Sequence, residues 1–153
     1  MAGALHALTQ VVRRTGFEHR DVDEFIDHLW RWPTVTPDTF GAWEGSRSPA
    51  LDAAMGDPLT PDLEAESRRA GLDPADLRQL LVGTAEIVYH GLFSVPNDAE
   101  SLAHLRTVER VAAKYGATLP PAERFAESPW LTNGGWGEPM SPADIDRWRG
   151  ARP

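Results

Sequence analysis

Two histidines and two carboxylates open the chemical reading of this chain. Glu86 stands four residues before His90 in "TAEIVYHGLF", and Glu100 four before His104 in "DAESLAHLRTVERV". Four residues is about one helical turn, so each pair shares a helix face. If both stretches are helices joined by a short turn, His90 and His104 lie at similar distances from it. A metal site of two histidines and two carboxylates can then be drawn in a bundle core. The spacing is not the Glu-x-x-His of di-metal carboxylate bundles, and no HExxH pair occurs. The plainer reading puts His90 at a helix C-terminus, where a cation complements the dipole, and His104 on the surface. A small metal-dependent enzyme centred on Glu86, His90 and His104 is therefore the alternative, while no metal and no cofactor is the expectation.

Other catalytic sets are missing from the sequence. The 153 residues contain no cysteine, which removes thiol nucleophiles, thiolate zinc sites and disulfides, and suits a cytoplasmic protein. No nucleophile elbow, dinucleotide fingerprint or phosphate loop occurs, and "NGGWGE" reads as a tight turn between Trp130 and Trp136. The chain is expected not to be an enzyme. Its tryptophans raise the next question, because Trp30, Trp32 and Trp43 fall within "LWRWPTVTPDTFGAWEG". Trp30 continues an apolar stripe, Trp32 points to another face at a proline-broken helix end, and Trp43 shares a short-helix face with Phe40. Tryptophan is enriched at interface hot spots, which makes Trp43 a candidate partner contact.

Charge sharpens that reading. The formal net charge is −8, and the only lysine is Lys114. Between Glu44 and Asp76 stand eight acids and three arginines. Such an excess disfavours direct binding of nucleic acid, whose phosphates it repels, and permits a basic protein partner. Glu44, Asp57, Asp62, Glu64 and Glu66 are the candidate contacts beside Trp43. The ordinary alternative is a solvated acidic face. No window approaches eighteen uncharged apolar residues, so no membrane span is expected, and the N-terminus lacks the pattern of a secretory signal.

The elements that must position these groups are helical. Leu5, Leu8, Val11 and Val12 form one stripe ending near Gly16. Val22, Phe25, Ile26, Leu29 and Trp30, preceded by Asp21, form another, with Asp23, Glu24, Asp27 and His28 on the polar face. Thr36 and Thr60 precede Pro37 and Pro61, the pattern of an N-cap and first helical residue. They predict a short helix through Phe40 and Trp43 and a longer one from Pro61 to Ala70, with an acidic linker between. Leu77, Leu80, Leu81, Thr84, Ile87 and Val88 mark a central helix. Asn97 or Asp98 caps the next, whose buried side is Leu102, Leu105, Val108, Val111, Ala112 and Tyr115, with Gly116 as its stop. Ser141 and Asp144 have capping-box-like spacing for a last helix through Ile145 and Trp148.

The expectation is an all-α single-domain helical bundle. Its centre is an antiparallel hairpin at about 74–92 and 98–115, with short peripheral helices. Residues 1–126 form the helical domain, and 127–153 a Trp/Gly/Pro-rich tail tacked on by Trp130, Trp136 and Trp148.

Two segments, "VDEFIDHLWRWPTVTPDTFGAWEG" and "AEIVYHGLFSVPNDAESLAHLRTVERVAAKYGATLPP", are similar in style to small acidic helical immunity proteins of bacterial polymorphic or contact-dependent toxin systems. The resemblance covers about 60 of 153 residues and transfers no binding residue by position. It implies a cytoplasmic, non-catalytic protein that binds and occludes a cognate toxin, expected to be basic. A regulatory or scaffold adaptor is the second alternative.

Overall fold

The structure, a computed structural model, describes residues 1–93, 99–125 and 139–150, with the backbone alone at 90–93 and 124. The expected cap at Asn97 or Asp98, Trp130, Trp136 and the "NGGWGE" turn lie outside the described residues. Eight α-helices are described: α1 (Ala2–Thr15), α2 (Arg20–Arg31), α3 (Phe40–Glu44), α4 (Pro49–Ala54), α5 (Pro61–Arg69), α6 (Pro74–Phe93), α7 (Ala99–Lys114) and α8 (Pro142–Arg149). Two 3₁₀ turns, Trp32–Thr34 and Ala122–Phe125, accompany them. Among the described residues there is no strand, and no helix is long and apolar enough to cross a membrane. The fold is all-α.

The hairpin of α6 and α7 is its centre. Arg110 donates to Gln79 at 2.8 Å and Lys114 to Asp76 at 2.7 Å, so one helix runs up as the other runs down. Leu77, Leu80, Leu81, Ala85 and Val88 pack there with Val108, Val111 and Ala112. Gly83 marks the closest approach: a Cβ added there would stand 2.7 Å from Val108 Cγ2 and 3.3 Å from the His104 carbonyl oxygen. The open end is closed by polar groups. Tyr115 O–H donates to Asp76 at 2.9 Å and accepts from the Asp73 N–H at 3.1 Å. Burial alone would raise the Asp76 carboxyl, but the bonds from Lys114 and Tyr115 outweigh it and hold the group below 3.8. Gly71 and Gly116 end α5 and α7 at φ +72° and +71°, the left-handed region that lets the following N–H turn back onto the helix. Leu102, expected on the buried side of α7, is exposed. It lies roughly 120° around the helix from Val108, off the stripe.

The cap of α2 is His19: its Nδ1 accepts the Asp21 N–H at 3.2 Å while its ring stacks on buried Phe17. Two local expectations are corrected. Thr36 does not cap α3, because Pro37 directs residues 36–39 into a turn in which the Thr39 N–H donates to the Thr36 carbonyl at 3.0 Å. The expected linker contains α4, started by Ser48 Oγ accepting the Leu51 N–H at 3.3 Å, with Pro49 at the first position. Ala50, Leu51, Ala53 and Ala54 are buried, and α4 packs on α2 and α6. Thr60 caps α5 as expected, accepting the Leu63 N–H at 3.2 Å.

Helix α8 docks on α1 and α2. The Met140 N–H donates to the Pro33 carbonyl at 2.8 Å, and His6 Nε2–H to the Trp148 carbonyl at 2.6 Å. Trp148 is buried beside Phe125, and Arg149 pairs with Asp27.

Candidate functional site

The stretch from α2 to α3 builds an aromatic stack around a histidine. Helix α2 ends at Arg31, the 3₁₀ turn through Pro33 reverses the chain, and α3 folds back so that Trp43 lies over His28. The two rings are 4.6 Å apart and nearly parallel at 14°. Tyr89 of α6 stacks on Trp43 at 5.4 Å, and Trp32 tilts against it at 4.9 Å. Trp43 Nε1–H donates to the His28 carbonyl at 2.9 Å. His28 is buried, at 2% exposure, instead of sitting on the polar face. The reason is tertiary: the position flanks the α2 stripe, and α3 covers the flank.

His28 is unusual chemically. Its Nε2 is bonded to Tyr89 Oη at 3.0 Å, while Nδ1 is buried without a hydrogen-bond partner. Burial first, then the positive charges of Arg31 and Arg47, push its pKa down from 6.5 to about 4. Burial likewise pushes the Tyr89 hydroxyl up from 10.0 to about 12. Both groups are neutral at pH 7 and act through hydrogen bonds; an imidazole with so low a pKa is a weak base.

A pocket of about 560 Å³ opens beside this imidazole. Its walls are Glu24, Asp27 and Arg31 of α2, Ser46 to Ser48 ahead of α4, and Arg149 at the end of α8. Three arginines thus line one recess. No local pattern announces this, because Arg31, Arg47 and Arg149 come to one recess only through the α2–α4 and α2–α8 contacts.

The residues singled out from sequence divide among three places. Trp43 is a core residue at 6% exposure, so it offers a partner no surface and the expectation of an aromatic contact there is corrected. Trp32 is buried with it. Glu44 is exposed near Tyr89 and Arg47. Asp57 leads into α5, and Asp62, Glu64 and Glu66 belong to that helix. The Asp62 side chain is 89% exposed and meets His19 Nε2 at 3.1 Å. Glu64 pairs with Arg68 at 2.7 Å, and Glu66 with Arg69, whose hydrogen bond leads in holding its carboxyl below the usual range.

The register of the hairpin sets Glu86 level with His104 and His90 one turn further along, level with Glu100. The side chain of His90 lies outside the described residues. Among the described residues no group of three or more histidine, aspartate or glutamate side chains is placed to hold a metal ion.

No family model, curated protein or solved structure matches this chain.

Proposed function

We propose that the chain is a toxin-neutralising binding protein of the immunity type, which occludes a basic effector with an acidic edge. The observation that carries this reading is the gathering of carboxylates where α5 meets the α1–α2 turn. Asp21 and Asp62 flank His19 at 3.9 and 3.1 Å, Glu66 lies within electrostatic reach of the same ring, and Glu18 within reach of Arg69. The ion pairs of Glu64 and Glu66 with arginines of their own helix are exposed. Such pairs contribute about 1 kcal/mol or less, so a partner's arginine or lysine can replace the internal one at little cost. An acidic edge of this kind speeds encounter with a cationic surface and selects against acidic ones. Binding would act by covering the effector's active surface, with no chemistry supplied by this chain.

The test is co-purification from cells of the source organism, with the wild type and with an Asp57→Arg/Asp62→Arg variant. The expected result is a stoichiometric basic protein that is retained by the wild type, is lost with salt or charge reversal, and arrests growth when expressed alone. A partner whose retention ignores both salt and reversal would overturn the electrostatic mechanism. A partner that is harmless when expressed alone would overturn the immunity role.

A further inference from the structure

The pocket beside His28 concentrates cations in a chain that is acidic overall. Its two acids are already matched, Glu24 by Arg20 at 2.6 Å and Asp27 by Arg149. Arg47 is matched by Asp52 at 2.7 Å. Arg31 has no ion pair or side-chain hydrogen bond among the described residues. Its charge is not taken up by the end of α2 either. There the carbonyls of His28, Leu29, Arg31 and Trp32 accept from Trp43 Nε1–H, the Trp32 N–H, the Thr34 hydroxyl and the Val35 N–H.

The imidazole supplies a second, independent sign. His28 lines the pocket, and Tyr89, which holds its Nε2, does not. Tyr89 Oη takes Nε2, which leaves Nδ1 a buried ring nitrogen without a hydrogen-bond partner. A lone guanidinium beside a recess that two further arginines line is the complement of an oxygen anion, and the unpartnered imidazole nitrogen of the same recess is the second sign of a missing ligand. We propose that this pocket binds a small oxyanion, a phosphate or a carboxylate group, through the Arg31 and Arg47 guanidinium forks, with the Tyr89 hydroxyl holding His28 in the Nδ1–H tautomer as a further donor. A guanidinium presents paired N–H groups that match the oxygens of either anion. The volume suits a small molecule, and the Glu24 and Asp27 wall selects a compact anion over a polyanionic chain.

This inference is independent of the toxin-binding reading and is tested without a protein partner. The intact chain is titrated with inorganic phosphate and, separately, with malonate. Tryptophan fluorescence, to which Trp43 over His28 contributes among six tryptophans, follows binding, and nitrogen-detected NMR follows the His28 ring. The expected result is a saturable response to at least one anion, with Kd of about a millimolar or tighter, and a shift of the His28 Nδ1 signal. A response to phosphate alone makes the ligand a phosphate compound, and to malonate alone a carboxylate. Arg31→Ala, at a solvent-facing position, should keep the fold by circular dichroism and weaken binding at least about tenfold. Arg31→Lys should fall between, and Arg110→Ala, at the α6–α7 contact, should bind as the wild type does. No saturable response to either anion, or one that Arg31→Ala and Arg47→Ala leave unchanged, overturns the proposal.

Discussion

Acidification below pH 6.5 should weaken this fold through His28. In the unfolded chain the imidazole titrates near 6.5; in the folded chain it stays neutral until about pH 4, because burial and two nearby arginines oppose its charge. Between those values the unfolded state binds a proton that the folded state does not, so stability falls as pH falls. The slope is at most about 1.4 kcal/mol per pH unit, and over the whole window the loss approaches about 3 kcal/mol. That is a large share of the roughly 5–15 kcal/mol that holds a domain together. The α-amino group of Met1, lowered by burial from 8.0 to about 6, acts with the same sign between those values, so the His28 contribution is read as the difference between the wild type and a variant without the imidazole. The assay is urea unfolding followed by tryptophan fluorescence, in steps from about pH 7 to about pH 4.5, for the wild type and His28→Gln. The variant cannot titrate and should show a much flatter profile there. Parallel profiles for the two proteins, or an NMR titration placing His28 near 6.5 in the folded state, would refute the reasoning.

Three further outcomes follow from packing and caps. Gly83→Ala forces a methyl against Val108 and the His104 carbonyl, and should destabilise by about 1–3 kcal/mol in urea unfolding despite alanine's better helix propensity; adding Val108→Ala should recover only part, since the backbone contact persists. Trp43→Ala empties the stack over His28 and should cost about 3–5 kcal/mol by the same measurement, whereas an exposed tryptophan would cost little. Ser48→Ala removes the cap of α4 and Thr60→Ala that of α5, each lowering stability by about 1 kcal/mol, read as a fall in the denaturation midpoint.

Much of the architecture was legible because it rests on periodicity. The stripes of α1, α2 and α6 place Leu5, Leu8, Phe25, Leu29, Leu77 and Leu80 inside, as their spacing predicts. Thr60–Pro61 and Ser141–Pro142 start helices by local hydrogen bonding, which a reader of sequence can anticipate. Ser48–Pro49 carries the same signal, but its four-residue apolar set is too short to announce a helix without α2 and α6 to bury it. The pocket was not legible. Its residues come from positions 24–31, 46–48 and 149, and no local rule brings such distant segments together. His28 was misplaced for the same reason: it flanks the stripe, and only the return of α3 decides whether a flank is wet.

Two buried polar groups show why function is sought at His28 and not at the end of the hairpin. Asp76 is as buried as many core residues, yet Lys114 and Tyr115 satisfy it, and a satisfied network has the character of structure. The Thr84 hydroxyl is unpartnered too, but it neighbours Gly83 at the close contact of α6 with α7 and lines no wall of the pocket, so it reads as a packing compromise. His28 differs from both. It lacks a partner for one nitrogen, its charged form is opposed by arginines that nothing in the fold requires to converge, and it borders an open recess. A site that violates a local rule without a compensating gain in stability is where selection for binding is most simply read. If the oxyanion is bound there, the missing partner is the ligand, and Trp43 of "LWRWPTVTPDTFGAWEG", backed by Trp32, is the wall that holds the His28 ring in place.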